Sequence, residues 1–148
     1  MSTYTQIIYQ IVFGTKNREH TLSKGKRDDL YKYITGVIQN KKCHLYRIGG
    51  VEDHIHILTH LHPTVSLADL VKDIKMSSSD YIKRNKLFKN FNGWSEGYGA
   101  FTYTIKQKDI LIEYIKNQEE HHRVLSFKEE YMTLLKEHGV TFEEKYIL

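Results

Sequence analysis

Four short runs rich in β-branched and aromatic residues and two long helical stripes follow one another in the order β-α-β-β-α-β. That order leaves a chain of this size few folds to adopt. Residues 4–13, Tyr4 to Phe13, read as the first strand. Ser23 caps a helix running to about Asn40, with Leu30, Tyr33, Ile34, Val37 and Ile38 as its apolar stripe. His44 to Ile48 and Val51 to Leu61 supply the second and third strands, separated by Gly49-Gly50. Ser66, with Asp69 three residues on, opens a second helix toward Arg84, buried through Leu67, Leu70, Val71, Ile74, Tyr81 and Ile82. Gly99 to Ile105 places Phe101, Tyr103 and Ile105 on one face of a fourth strand. Asp109 to about His121 is helical, and Ser126 with Glu129 makes a capping box for a last helix ending at Gly139. The expected fold class is α+β: a ferredoxin-like antiparallel sheet with helices packed on one face, followed by C-terminal helices.

Length and composition narrow the classes further. A chain of 148 residues favours one domain, here 1–148, with 123–148 as a helical extension. Hydrophobic residues at 40% and charged residues at 27% argue against disorder. The formal charge of +4 is compatible with an anionic partner such as nucleic acid without demonstrating one. No apolar run reaches the roughly 18 residues a membrane span needs. Met1-Ser2-Thr3-Tyr4 lacks the basic region and apolar stretch of a secretory signal. A single cysteine, Cys43, excludes an internal disulfide framework and a multi-cysteine zinc site, and reads as a buried small hydrophobe. These features together lead us to expect a cytoplasmic protein without membrane association.

Two segments carry residues suited to chemistry. In Asp53-His54-Ile55-His56-Ile57-Leu58, residues two apart on a strand share a face, roughly 6.6 Å apart along it. His54 and His56 then project side by side and could share a divalent metal, or they are two surface histidines among nine. His60 and His62 continue the run, so the segment does not settle a third ligand. In Glu113-Tyr114-Ile115-Lys116-Asn117-Gln118, Tyr114 and Gln118 share a helix face. A phenol is a nucleophile once its proton is removed or its charge compensated, and the Gln118 carbonyl suits a hard cation. The alternative is a core tyrosine near Ile110 and Leu111 with its hydroxyl hydrogen-bonded. Asp53 either orients an imidazole or simply forms the turn. Trp94 with Tyr98 reads as a packing anchor rather than a base-stacking platform, and His121-His122 carry no assigned role.

Taken in order, these segments resemble the single-tyrosine HUH transposases of the IS200/IS605 type. The resemblance runs from Phe13 to His122. Thr15-Lys16-x-Arg18 is similar to the basic segment after the family's first strand, and Asp53-His54-Ile55-His56 to its Asp-His-x-His core. Pro63 to Lys75, Ser77 to Ser79 and Trp94-x-x-Gly97-Tyr98 resemble the following helix, its serine-rich continuation and the turn before the last strand. Tyr114-Ile115-x-x-Gln118 is similar to the nucleophile helix. Phe13 stands where the family often has Trp, and the tail beyond Gln118 resembles that of the REP-associated relatives.

The resemblance implies that the Tyr114 hydroxyl attacks a phosphodiester of single-stranded DNA, giving a 5′-phosphotyrosine link and a free 3′-hydroxyl. It implies that His54, His56 and Gln118 hold one Mg²⁺ or Mn²⁺, that the DNA forms hairpins, and that the protein is a homodimer whose tyrosine helix can dock on the partner. Cationic contacts to DNA are then expected from Lys16, Arg18, Lys72 and Lys75, and Arg84 is a further candidate. Two readings compete with this one. A non-catalytic or domesticated nucleic-acid-binding module of the same fold would act on repeat hairpins, and a metal-dependent hydrolase would activate water instead of Tyr114.

Overall fold

The computed structural model describes residues 2–147. Strands β1 (Ile8–Gly14), β2 (His44–Gly50), β3 (His54–His60) and β4 (Gly99–Tyr103) form one antiparallel sheet in the spatial order β2-β3-β1-β4. Helix α1 (Lys24–Asn40) links β1 to β2, and α2 (Leu67–Arg84) links β3 to β4. Each crossover skips one strand, which is the split βαβ pattern expected from the order of elements. Helices α3 (Lys108–Lys116), α4 (Gln118–His121) and α5 (Phe127–Glu137) complete the chain. Among the described residues no helix is long and apolar enough to cross a membrane.

Alternation along the strands divides the core in two. Ile11 and Phe13 of β1 and Ile55 and Ile57 of β3 face α1 and α2, meeting Leu30, Ile34, Ile38, Leu70 and Ile74. Cys43 joins this core at the start of β2, as its position suggested. The opposite face carries Ile8, Val12, Leu58 and Phe101, and it too is covered. Leu111 and Ile115 of α3 pack on one part, and Phe127, Tyr131 and Leu134 of α5 on another. Each fully buried aliphatic or aromatic side chain contributes about 1.5–3 kcal/mol. The residues that follow β4 therefore close the sheet's second face.

Several boundaries differ from the sequence expectation for local reasons. β1 starts at Ile8, because Ile8 pairs with His60 at the end of β3 and the exposed residues before it have no strand partner. β4 stops at Tyr103, because Thr104 and Gln107 form a capping box around a 3-10 turn that leaves Ile105 exposed. The helix expected over 109–121 breaks at Asn117, whose φ and ψ of −96° and 21° separate α3 from α4. Ser66 and Ser126 cap α2 and α5 as expected, each accepting a backbone N–H three residues on.

Gly49 seats α3 on the sheet. A Cβ there would lie 2.6 Å from the Ile115 carbonyl oxygen and 2.7 Å from its Cγ2, so only glycine lets the helix come this close. Arg27, buried at the start of α1, binds Glu119 of α4 at 3.0 Å and the Leu22 carbonyl at 2.7 Å, which ties α4 to the start of α1.

Candidate active site

His54 and His56 point from β3 toward α3, α4 and α5, and neither has any exposed surface. That burial removes the surface-pair reading. Two imidazoles without solvent must find polar partners. His54 Nδ1 donates to Asp53 Oδ1 at 2.7 Å, and His56 Nδ1 donates to the Gln10 amide oxygen at 2.8 Å. Asp53 thus orients a ring.

The Nε2 atoms of both rings turn to Glu130, a buried carboxylate on the inner side of α5. Glu130 Oε1 lies 3.2 Å from His54 Nε2 and 3.0 Å from His56 Nε2. His122 Nε2, just past α4, approaches the same oxygen at 3.1 Å, while its Nδ1 donates to the Leu125 carbonyl at 2.6 Å. Gln118 is 1% exposed; its Oε1 lies 3.1 Å from both His54 Nε2 and His122 Nε2, and its Nε2 donates to Glu130 Oε2 at 2.9 Å. The Tyr114 hydroxyl donates to that same Oε2. One carboxylate therefore joins the histidine group to the tyrosine.

Helix geometry and packing explain the convergence. Tyr114, Gln118 and His122 succeed one another at intervals of four, so one helix face carries all three despite the break at Asn117. On α5, Phe127, Glu130, Tyr131 and Leu134 form one buried stripe, so Glu130 enters the interior with its apolar neighbours. Phe127 stacks on the His54 ring with centroids 3.9 Å apart and planes 4° from parallel. Gly14, paired with His54 across the sheet, makes room for it: a Cβ there would lie 2.8 Å from Phe127 Cε2.

Charge follows this geometry. Burial pushes the Glu130 carboxyl up, but hydrogen bonds from His122, His54 and His56 outweigh it and hold the group well below the usual carboxylate range. Burial pushes His54 down, yet its bonds to Asp53 and Glu130 carry it above its ordinary value. Burial dominates at His56, which is lowered. Asp53 is lowered, its own burial being offset by the bond to His54. Burial and the adjacent Glu130 charge both raise Tyr114 far above an ordinary phenol, so its neutral form is strongly favoured. Glu130 Oε2 accepts from the phenol and so orients its ring.

The donor set fits a divalent cation. His54, His122 and Glu130 each offer one ligand atom, all within 4.8 Å of one another, and His56 Nε2 and Gln118 Oε1 face the same carboxylate oxygen or its imidazole neighbours. Each imidazole is held at Nδ1 by an oxygen acceptor, the arrangement that fixes the ring of a metal-bound histidine. Tyr114 also borders a cleft of about 380 Å³ shared with Gln10, Tyr103, Leu111 and Leu134.

A family model described as "Transposase IS200 like" matches residues 3–118. The chain belongs to the IS200-like transposase family. No curated protein matches it. Two solved structures share its fold. A Deinococcus radiodurans R1 protein assigned as a transposase is 21% identical at a TM-score of 0.61, over 80% of this chain and 95% of its own. A REP-associated tyrosine transposase, solved bound to a REP hairpin, is 16% identical at a TM-score of 0.61, over 82% of this chain and 74% of its own. At these identities the likeness shows the fold, and the α+β ferredoxin-like arrangement is common to them.

In this family member, His54, His56, Tyr114 and Gln118 come together within one chain, although 58 positions or more separate the pair on β3 from those on α3 and α4; Gln118, for instance, meets His54 across 64 positions. The sequence reading named His122 without giving it a role and missed Glu130. His122 continues the Tyr114–Gln118 interval, whereas nothing in the sequence singles out Glu130 beyond its place in an apolar stripe. Lys16 and Arg18 are exposed on a 3-10 turn after β1, beside a cleft of about 810 Å³ with Trp94 and Asn92. Asn17 and Arg18 hold φ of 57° and 54°, a left-handed conformation that non-glycine residues rarely adopt. Lys72 is exposed on α2. Lys75 is differently placed: its ammonium donates to the carbonyls of Ser95, Glu96 and Gly97 at 2.9, 3.3 and 2.8 Å, holding the loop before β4. Trp94 donates to Ser78 at 2.9 Å and packs edge-on against Phe13 and Phe91, which makes it an anchor of the core.

Proposed function

We propose that this protein cleaves and rejoins single-stranded DNA through a covalent 5′-phosphotyrosine link at Tyr114. The observation that carries the reading is the meeting of Tyr114 with a buried histidine pair across a single carboxylate, in a chain of the IS200-like transposase family. The Tyr114 oxygen attacks the phosphorus, the bond to the 3′-oxygen breaks, and that oxygen leaves as a 3′-hydroxyl with the proton the phenol gives up. The phosphoryl group stays on the 5′ side of the break, joined to Tyr114. Attack by another 3′-hydroxyl reverses the exchange and needs no external energy source.

His54, His56 and Gln118 would hold a divalent metal, for which the family resemblance implies Mg²⁺ or Mn²⁺. When bound, such an ion supplies positive charge against non-bridging phosphate oxygens and the charge that develops on them. The chain's own residues do the rest. Glu130 Oε2 and the surrounding packing fix the phenol. Gln10 links His56 to Tyr103, donating to the Tyr103 hydroxyl at 2.9 Å, so the strand floor under the cleft is held in one arrangement. The cleft beside Tyr114 receives the nucleotide next to the scissile phosphate. Lys16, Arg18 and Lys72 contact the phosphate backbone, and Lys75 acts by shaping the loop that flanks that basic turn. A hairpin is the DNA form suggested by the REP-hairpin-bound neighbour, and a homodimer is the assembly suggested by the family resemblance.

The test is a cleavage assay on hairpin-bearing single strands from the DNA flanking the gene, with Mn²⁺, Mg²⁺ or EDTA and denaturing gels. The wild type is expected to give a metal-dependent protein–DNA adduct that Tyr114→Phe lacks. Cleavage without an adduct, unchanged in Tyr114→Phe, would replace this reading with water activation. Binding of the strands without cleavage would replace it with a non-catalytic module.

A further inference from the structure

The family match ends at residue 118, yet two of the groups that crowd the metal position come from beyond it. Three Nε2 atoms, from His54, His56 and His122, lie 3.0–3.2 Å from Glu130 Oε1. Their Nδ1 atoms face a carboxylate, an amide oxygen and a backbone carbonyl, all of which only accept. With Nδ1 donating in this way, each Nε2 meets Glu130 Oε1 either as a protonated donor or, once a cation replaces those protons, as a ligand. The same atoms at the same separations therefore suit coordination of one ion.

We propose that the tail completes the metal centre: His122 and Glu130 are ligands alongside His54 and His56, and the resulting nitrogen-rich site selects a transition metal over Mg²⁺. The inference rests on the reading of His54 and His56 as metal ligands. Its chemical reason is the donor set. Mg²⁺ prefers oxygen ligands and keeps several waters, whereas imidazole suits Zn²⁺, Co²⁺ and Ni²⁺, with affinities rising from Mn²⁺ onward. Two imidazoles and an amide leave room for a hydrated Mg²⁺. A third imidazole and a carboxylate in a largely buried site do not. Glu130 also carries the consequence to Tyr114, since its other oxygen accepts the phenol.

The experiment uses the full chain stripped with EDTA, without DNA. Co²⁺ is titrated in while the visible spectrum is followed, bound metal is counted by mass spectrometry after dialysis, and Mg²⁺ is added as competitor. The expected result is one equivalent of Co²⁺ that excess Mg²⁺ does not displace. His122→Ala should lower Co²⁺ affinity by about tenfold or more and change the spectrum, with Mg²⁺ affinity unaffected. Glu130→Gln, close in volume, should move the same spectrum, and it decides the matter should His122→Ala fail to show the wild-type circular dichroism. Unchanged Co²⁺ affinity and spectrum in the folded variants, or ready displacement by Mg²⁺, would overturn the proposal. Its failure is separable from that of the cleavage reading. A His122-dependent cobalt spectrum in a protein that cuts no DNA leaves this inference standing alone. Metal-dependent cleavage with a spectrum indifferent to His122 and Glu130 leaves only the cleavage reading.

Discussion

Removing Glu130 should damage the fold more than removing most surface acids, and the structure sets the size of the effect. Glu130 is 1% exposed and accepts from Gln118 and Tyr114 on one oxygen while three imidazoles crowd the other. Taking away one partner of a buried charged network costs about 3–5 kcal/mol, because the groups left behind lose their partners without regaining water. At this chain length each kcal/mol lowers the melting temperature by about 2–4 °C, so Glu130→Ala should melt roughly 6–20 °C below the wild type. Urea unfolding in EDTA at neutral pH measures the difference without contributions from metal. The same variant should bring the Tyr114 phenol down toward its ordinary value, since both the adjacent charge and the accepted hydrogen bond disappear. Ultraviolet titration of Glu130→Ala against the double variant with Tyr114→Phe isolates that one tyrosine. A loss below about 1 kcal/mol, the worth of a single neutral hydrogen bond, would refute the picture of Glu130 as the centre of a satisfied buried network.

Other consequences follow from the packing and the charges. Gly49→Ala should cost about 1–3 kcal/mol and displace α3, because the new methyl meets the Ile115 backbone; chemical shifts at Tyr114 would report the movement. Phe127→Ala should cost about 3–5 kcal/mol in urea and expose the His54 ring, which hydrogen exchange around β3 would register. The Asp53–His54 pair should show a window in pH. Asp53 is lowered, so its stabilisation is full above about pH 4 and fades as pH falls through its depressed value; His54 is raised, so its share is full below about pH 6.5 and fades as pH climbs through its elevated value. The stability gap between wild type and Asp53→Asn should therefore be widest between those limits, and a gap that widens steadily toward alkaline pH would contradict the assignment.

The order of elements was legible because periodicity agreed with the caps at Ser66 and Ser126, which start helices where the apolar stripes begin, while Ser23 takes the N-cap position of α1 without a side-chain bond. What periodicity could not show was the sheet's second covered face. His54 and His56 alternate with isoleucines, and a polar alternate face ordinarily meets solvent; here α5 buries it. That covering depends on Phe127 reaching past Gly14, a contact between positions far apart in the chain. Tyr114 and Gln118 were found from helix spacing, and His122 extends the same spacing. Glu130 required three dimensions, since a lone acid among apolar residues gains meaning only from the three imidazoles it meets. Lys75 illustrates the opposite case: a cation that sequence offers to DNA is engaged by three carbonyls of its own chain.

The most direct test of the central claim is to locate the covalent bond. The protein is incubated with a cleavable hairpin-bearing strand and metal, the DNA is trimmed with nuclease, and the peptides are read by mass spectrometry. The account predicts a nucleotide remnant joined through a 5′-phosphate to Tyr114 alone among the 11 tyrosines. A remnant on a different tyrosine, or cleaved strands with every tyrosine unmodified, would contradict it.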